Sequence, residues 1–241
     1  MTILLFLALA YSNAWSVGVL NLPSSMTGKM GLTTPGPVSY WIVNLSDVSP
    51  TGYAVGNGSY LGWCADSGIY IYPAPPHDKY DVKIYDTTDN KLPSYALTPE
   101  NWKPVNYILN NKGNNPWQAI QLAIWRFTDG ITEDPLGYWY NYWYSYNNGM
   151  YASQANALYI DALNNGHNFI PKYGDKVAVL LDANNGSQGG AGGFNQLVFV
   201  EATVPVPEPG TFILLGTGLV GIAGYARLKL HKRSKVVNHT F

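Results

Sequence analysis

The sequence predicts an α+β protein: a single β-dominated domain, sandwich- or barrel-like, with helices inserted into its middle. Three observations point there. Short runs of β-branched and aromatic residues bounded by turn residues fill the start and end of the body. Helix-start and helix-stop signals lie between them, from Thr98 to Gly166. No internal repeat and no linker divides the stretch before Glu201.

Taken in order, 38–43 and 60–65 read as strands, with Ser67 and Gly68 turning the chain after the second. Residues 69–72 and 82–85 are strand candidates flanking a Pro-rich loop, and Asp86-Thr-Thr-Asp-Asn is a turn. Thr98, Pro99 and Asn101 open a helix through Leu109, in which Pro104 is tolerable only in the first turn. Asn115 caps a second helix, opened by Pro116 and ending near Phe127. Helical steps put Trp117, Ile120, Ile124 and Phe127 on its apolar face, Gln121 at that face's margin and Gln118 toward solvent. The stretch GYWYNYWYSYNNGMY, 137–151, alternates like an aromatic-rich loop or strand packed on the core. A third helix covers 152–163, closed by Asn164-Asn165-Gly166. Residues 176–181 and 196–204 are closing strands. The Gly-rich segment 184–193 between them lacks the strand-to-helix setting of a phosphate site.

Composition narrows the function classes. Hydrophobic residues make up 46 % and charged residues 12 %, too apolar for a disordered chain and sparsely charged for a cytosolic enzyme surface. The 19 Tyr and 8 Trp favour strands and amphipathic surfaces. Five of the 14 basic residues, Arg227, Lys229, Lys232, Arg233 and Lys235, lie after residue 226, whereas all 15 acidic residues precede that point. The body is therefore acidic and carries no basic stripe, which argues against nucleic acid.

Both ends read as addresses. The apolar run 3–10 followed by Tyr11-Ser12-Asn13-Ala14 predicts a signal peptide over residues 1–16. The body then spans 17–204 and the tail 205–241. The uncharged stretch TFILLGTGLVGIAGYA is extended by Leu228 and ends abruptly basic, which predicts a transmembrane helix over 211–228 with a cytoplasmic C-terminus. Before it stand Pro207, Glu208 and Pro209. Pro-Glu-Pro, a short apolar span and a basic end resemble the PEP-CTERM sorting tail. That likeness implies export, an exosortase-type processing enzyme as partner, and a place in the envelope or at the cell surface.

Cys64 is the chain's one cysteine, so neither an internal disulfide nor a Cys-based zinc site can form. A lone thiol in an exported protein calls for a partner. Gln121, wedged between Trp117 and Trp125, is costly unless its amide is paired or used. Trp63-Cys64-Ala65-Asp66 and Gln121-Leu122-Ala123-Ile124-Trp125 together resemble the thioester domain of Gram-positive surface adhesins. Ile120 stands where that family usually has Thr, and Trp63 where Tyr is common. The resemblance implies an internal Cys64–Gln121 thioester, with Trp63, Asp66, Trp117 and Trp125 around it. It would open on a primary amine, a Lys of a surface protein or an amino sugar, in single-turnover capture for adhesion or matrix linkage. No cofactor is implied.

Competing readings are weaker. A Cys hydrolase would need a base, for which His77 and His167 are candidates without a local signature. Asp86, Asp89 and Asn90 lack the Gly and distal Glu of a calcium loop, so no metal site is expected. A non-covalent structural or carbohydrate-binding matrix protein, with Cys64 an inert buried thiol, is the alternative that the aromatic wealth supports.

Overall fold

The computed structural model of the protein describes residues 20, 22–33, 39–67, 80–89, 91–93, 96–128, 138–183, 197–206, 215–225 and 227. Residues 1–205 and 206–241 are separate compact units.

In the first unit the strands close into a barrel. They are β1 (Thr27–Thr33), β2 (Trp41–Ser49), β3 (Gly58–Cys64), β4 (Tyr80–Asp86), β5 (Lys176–Asp182) and β6 (Val198–Thr203). The order around the wall is β1-β2-β3-β6-β5-β4, with antiparallel pairing at every seam. Of the two predicted architectures the barrel is the one formed, and closure leaves no sheet edge to protect. Period-two alternation sends Met30, Val43, Leu45, Val82, Ile84, Val179 and Val200 into one buried cluster.

Between β4 and β5 the described residues make four helices: α1 (Pro99–Asn111), α2 (Trp117–Thr128), α3 (Tyr138–Gly149) and α4 (Ala152–Asn165). Trp102, Val105, Ile108, Ile120, Ile124, Phe127 and Leu158 pack on the outward side chains Trp63, Ala178, Leu180 and Phe199 as a second cluster. Helix α2 belongs to both clusters. Ile120, Ile124 and Phe127 form its predicted apolar face, while Ala119, Leu122 and Trp125 join the barrel's own core. It is therefore buried on nearly all sides instead of half-exposed, which is why Gln121 is 1 % exposed and not at a margin.

Several local readings are corrected. Pro104 sits in the interior of α1, beyond the first turn, where it is buried and removes one helix hydrogen bond. Lys112 and Gly113, at φ +52°, end that helix. Asn115 does not cap α2: its amide donates to the Lys112 carbonyl, and the Pro116 carbonyl receives the first helical bonds from Ala119 and Ile120. The aromatic stretch is helical and not a loop or strand. It breaks at Tyr146, Asn147 and Asn148, the two Asn residues taking φ +45° and +58°. Aromatic side chains at nearly every position mask helical and strand periods alike. Strand β1 was not predicted, because Gly28 and Gly31 dilute its alternation.

The strand candidate 69–72, the segment 184–193, Gln196 and the signal peptide 1–16 lie outside the described residues. In the second unit residues 215–225 are helical and, apart from half-buried Gly216, exposed. Among the described residues no helix is long and apolar enough to cross a membrane. The rest of the predicted span 211–228, apart from Arg227, lies outside them, as do Pro207, Glu208 and Pro209.

Candidate functional site

Cys64 ends β3, and the wall around it explains the site. On one side Cys64 is opposite Val198 of β6, and the Ala65 N–H donates to the Leu197 carbonyl at 2.9 Å. On the other side the register with β2 runs only as far as Trp41 opposite Gly62. The backbone groups of Cys64 facing that side need another partner in a buried place.

Gln121 supplies it. The Cys64 N–H donates to Gln121 Oε1 at 3.0 Å, and Gln121 Nε2 donates to the Cys64 carbonyl at 2.8 Å. The carboxamide thus stands in for a missing strand, and two residues 57 apart in sequence are joined. Cys64 is in no disulfide and is fully buried. Its sulfur accepts a hydrogen bond from Trp41 Nε1 at 3.0 Å.

Trp41 reaches the sulfur because Gly62 has no side chain. A Cβ there would run into Val43 Cγ2 and lie 3.3 Å from the Trp41 Cβ. Ser39 Oγ, also buried, donates to the Trp41 carbonyl at 2.7 Å. Around the pair the rings form a cluster centred on half-buried Tyr40. It meets Trp41 at 5.3 Å, Trp117 at 5.4 Å and Trp125 at 5.8 Å, all edge-on. The Trp125 indole N–H is buried without an acceptor.

Trp117 and Trp125 are therefore in the aromatic cluster that includes Trp41, and Asp66 is half-buried just past Cys64. Trp63 turns the other way, as strand alternation requires. Its Nε1 donates to Glu201 Oε1 at 2.8 Å, the carboxylate that also pairs with Lys112, and Lys112 Nζ lies 5.3 Å over its ring. Tyr40 and Trp41 were not found from the sequence. The available signal was Gly62 two positions before the cysteine, which frees space on its own face of β3.

Titratable groups with displaced values lie elsewhere. Burial pushes the Asp86 carboxyl up, Thr88 opposes this through two hydrogen bonds, and the charge of Asp89 adds to it. Burial, then the charge of Asp182, raises Tyr85. Burial, with the hydrogen bond to Asp161 behind it, raises Tyr107. His77 and Asn90 lie outside the described residues, and His167 is exposed beyond α4. Among the described residues no group of three or more His, Cys, Asp or Glu is arranged to hold a metal ion.

Comparison with known proteins bears on the tail. No curated protein and no solved structure shows significant similarity to the chain. Residues 205–227 match the PEP-CTERM protein-sorting motif. The chain thus carries the signal of an exported protein, sorted to the cell surface by an exosortase.

Proposed function

We propose that the sorted body is a covalent capture module, in which Cys64 and Gln121 form an internal thioester that a primary amine opens. The observation that carries this reading is the double hydrogen bond between the Gln121 carboxamide and the backbone of Cys64.

Three features of that contact support it. A carboxamide continuing a strand ladder lies near the plane of the ladder, whereas a strand side chain stands out from it. On the thioester reading the Cys64 sulfur leaves that plane and adds to the amide carbon from one face. The Cys64 N–H, 3.0 Å from Oε1, is a preorganised donor for the oxyanion that such addition creates. Holding both groups on rigid elements gives the oriented encounter that an amide and a thiol in water lack.

In formation, the sulfur–carbon bond closes and the carbon–nitrogen bond breaks. The thiol proton leaves with the nitrogen as ammonia. In capture, the amine nitrogen bonds to the same carbon, the carbon–sulfur bond breaks, and one amine proton ends on sulfur. Each molecule reacts once, so this is binding and not turnover. A Lys side chain of another surface protein or an amino sugar is the class of partner, and the surrounding rings exclude the water that would otherwise hydrolyse the bond.

Intact mass of the full chain tests the reading. Wild type is expected to be lighter than its sequence by one ammonia and to gain methylamine on exposure to it. Cys64→Ala and Gln121→Ala should do neither. Wild type at its full sequence mass, inert to methylamine, would sink the idea.

A second reading has an observation of its own. Tyr142 and Tyr146 are 43 % and 41 % exposed with ring centroids 6.0 Å apart, and Tyr146 stacks on Tyr151. Such a surface suits a non-covalent matrix or carbohydrate-binding role, with Gln121 only structural. The same mass measurement separates the two.

A further inference from the structure

We infer that Trp41 is a catalytic residue of the Cys64–Gln121 pair, its indole N–H stabilising the negative charge that the sulfur carries while the thioester forms and opens. The inference rests on the thioester reading and names a residue that reading does not require.

The placement is the first argument. Trp41 Nε1 is 3.0 Å from Cys64 Sγ, and both side chains are in the barrel's own cluster. Nothing local in the chain imposes this, since 23 positions separate them. It is produced by the β2–β3 register, which sets Trp41 opposite Gly62, and by the absence of a Cβ at Gly62. The Ser39 bond to the Trp41 carbonyl and the edge contact from Tyr40 hold the residue there.

The choice of acceptor is the second argument. A neutral thiol or a thioester sulfur accepts hydrogen bonds weakly, whereas a thiolate accepts them strongly. Among the described residues the other buried indoles either find a carboxylate, as Trp63 does, or have no acceptor, as Trp102 and Trp125. Trp41 alone among these aims its donor at sulfur. Such a bond is weak in the resting states and strengthens as charge develops, so it lowers the barrier more than it stabilises either end.

The bond changes fit this role in both directions. When an amine attacks the Gln121 acyl carbon, the carbon–nitrogen bond forms and the carbon–sulfur pair departs onto sulfur. That pair faces the indole N–H until the amine's proton reaches it. In formation the sulfur brings its electron pair to the carbon from the same position, and ammonia leaves with the thiol proton. The indole keeps its own proton throughout. No oxidant or co-reactant is involved.

The test uses the full chain with methylamine as probe and intact mass as readout. Trp41→Phe removes the donor but also volume. A second variant, with 3-benzothienylalanine at position 41, keeps the fused rings and replaces the N–H by sulfur. Both should open their thioester roughly ten- to a hundredfold more slowly than wild type, the range set by a hydrogen bond to a charged group. The isostere should melt as wild type does. A folded isostere that never loses ammonia supports the role equally, since formation passes through the same charge. An isostere reacting at the wild-type rate would overturn the role and leave the thioester standing. Wild type that never loses ammonia would remove both.

Discussion

The same device occurs twice in this barrel with different surroundings. Asn110 of α1 takes the backbone of Lys176 in β5 with both ends of its amide, accepting from the N–H at 2.7 Å and donating to the carbonyl at 2.8 Å. Gln121 of α2 does this to Cys64 in β3. In each case a helical amide continues a strand ladder where the neighbouring strand stops, and Asn106 adds a bond to the Ala178 N–H beside the first. The amide clasp is thus an ordinary way for this helical layer to grip the wall. What distinguishes the second clasp is its company: full burial, a sulfur on the clasped residue, and an indole donor on that sulfur. Lys176 carries an ammonium that reaches the Thr203 hydroxyl in place of a thiol. The lesson is that the amide contact alone does not mark chemistry, and the proposed thioester rests on that contact together with Cys64.

Substitutions can break this comparison, and the largest effect belongs to the buried clasp. Gln121→Ala should cost about 3 kcal/mol in chemical unfolding, because it strands the N–H and carbonyl of Cys64 away from water and leaves a gap beside the rings. Gly62→Ala should follow at about 2 kcal/mol, since the added methyl meets Val43 and crowds Trp41. It should also slow methylamine uptake by displacing the indole from the sulfur, which mass measurement would detect. Asn110→Ala should cost about 1 kcal/mol, less than Gln121→Ala because its surroundings are only part-buried and water can replace the amide. It should leave ammonia loss at Gln121 unchanged. Equal costs for the two amide deletions would mean that burial does not separate the clasps.

The smallest effect is a slope with pH at the acidic turn. The folded protein holds the Asp86 proton more tightly than the unfolded chain, whose ordinary value is 3.8. Between that value and the raised one the native state binds more protons, so stability falls as pH rises through that window. Asp86→Asn retains an acceptor for Thr88 and should flatten that part of the melting-temperature profile.

How much of this was legible in the chain follows from where the constraints lie. Strands β2 to β6 announce themselves as short β-branched and aromatic runs bounded by turn residues, and α2 and α4 through spacing and through Gly166 at the end of the latter. Strand β1 does not, because Gly28 is there for packing: a Cβ would approach Val48 Cγ2 to 3.1 Å, a contact that exists only once β2 is paired. The site divides in the same way. Cys64 and Gln121 stood out as a lone thiol and a polar residue among tryptophans. Trp41 did not, since its role depends on register across a seam, and neither did Asn110, which looks like any surface asparagine near a helix end. Trp63 was legible as a neighbour in sequence and misleading as one in space, since adjacent strand residues face opposite layers.

The order of strands also sets a schedule. The last strand made slots between β3 and β5, so the flank of Cys64 opposite Val198 stays open until residues 198–203 arrive. Pairings that distant are slow and late in folding. A nascent chain emerging amino end first would carry its thiol and its glutamine in an unfinished wall for nearly the whole of synthesis and translocation. The geometry of the proposed thioester would thus be completed only when the body is, which would keep it from being spent on amines met along the way.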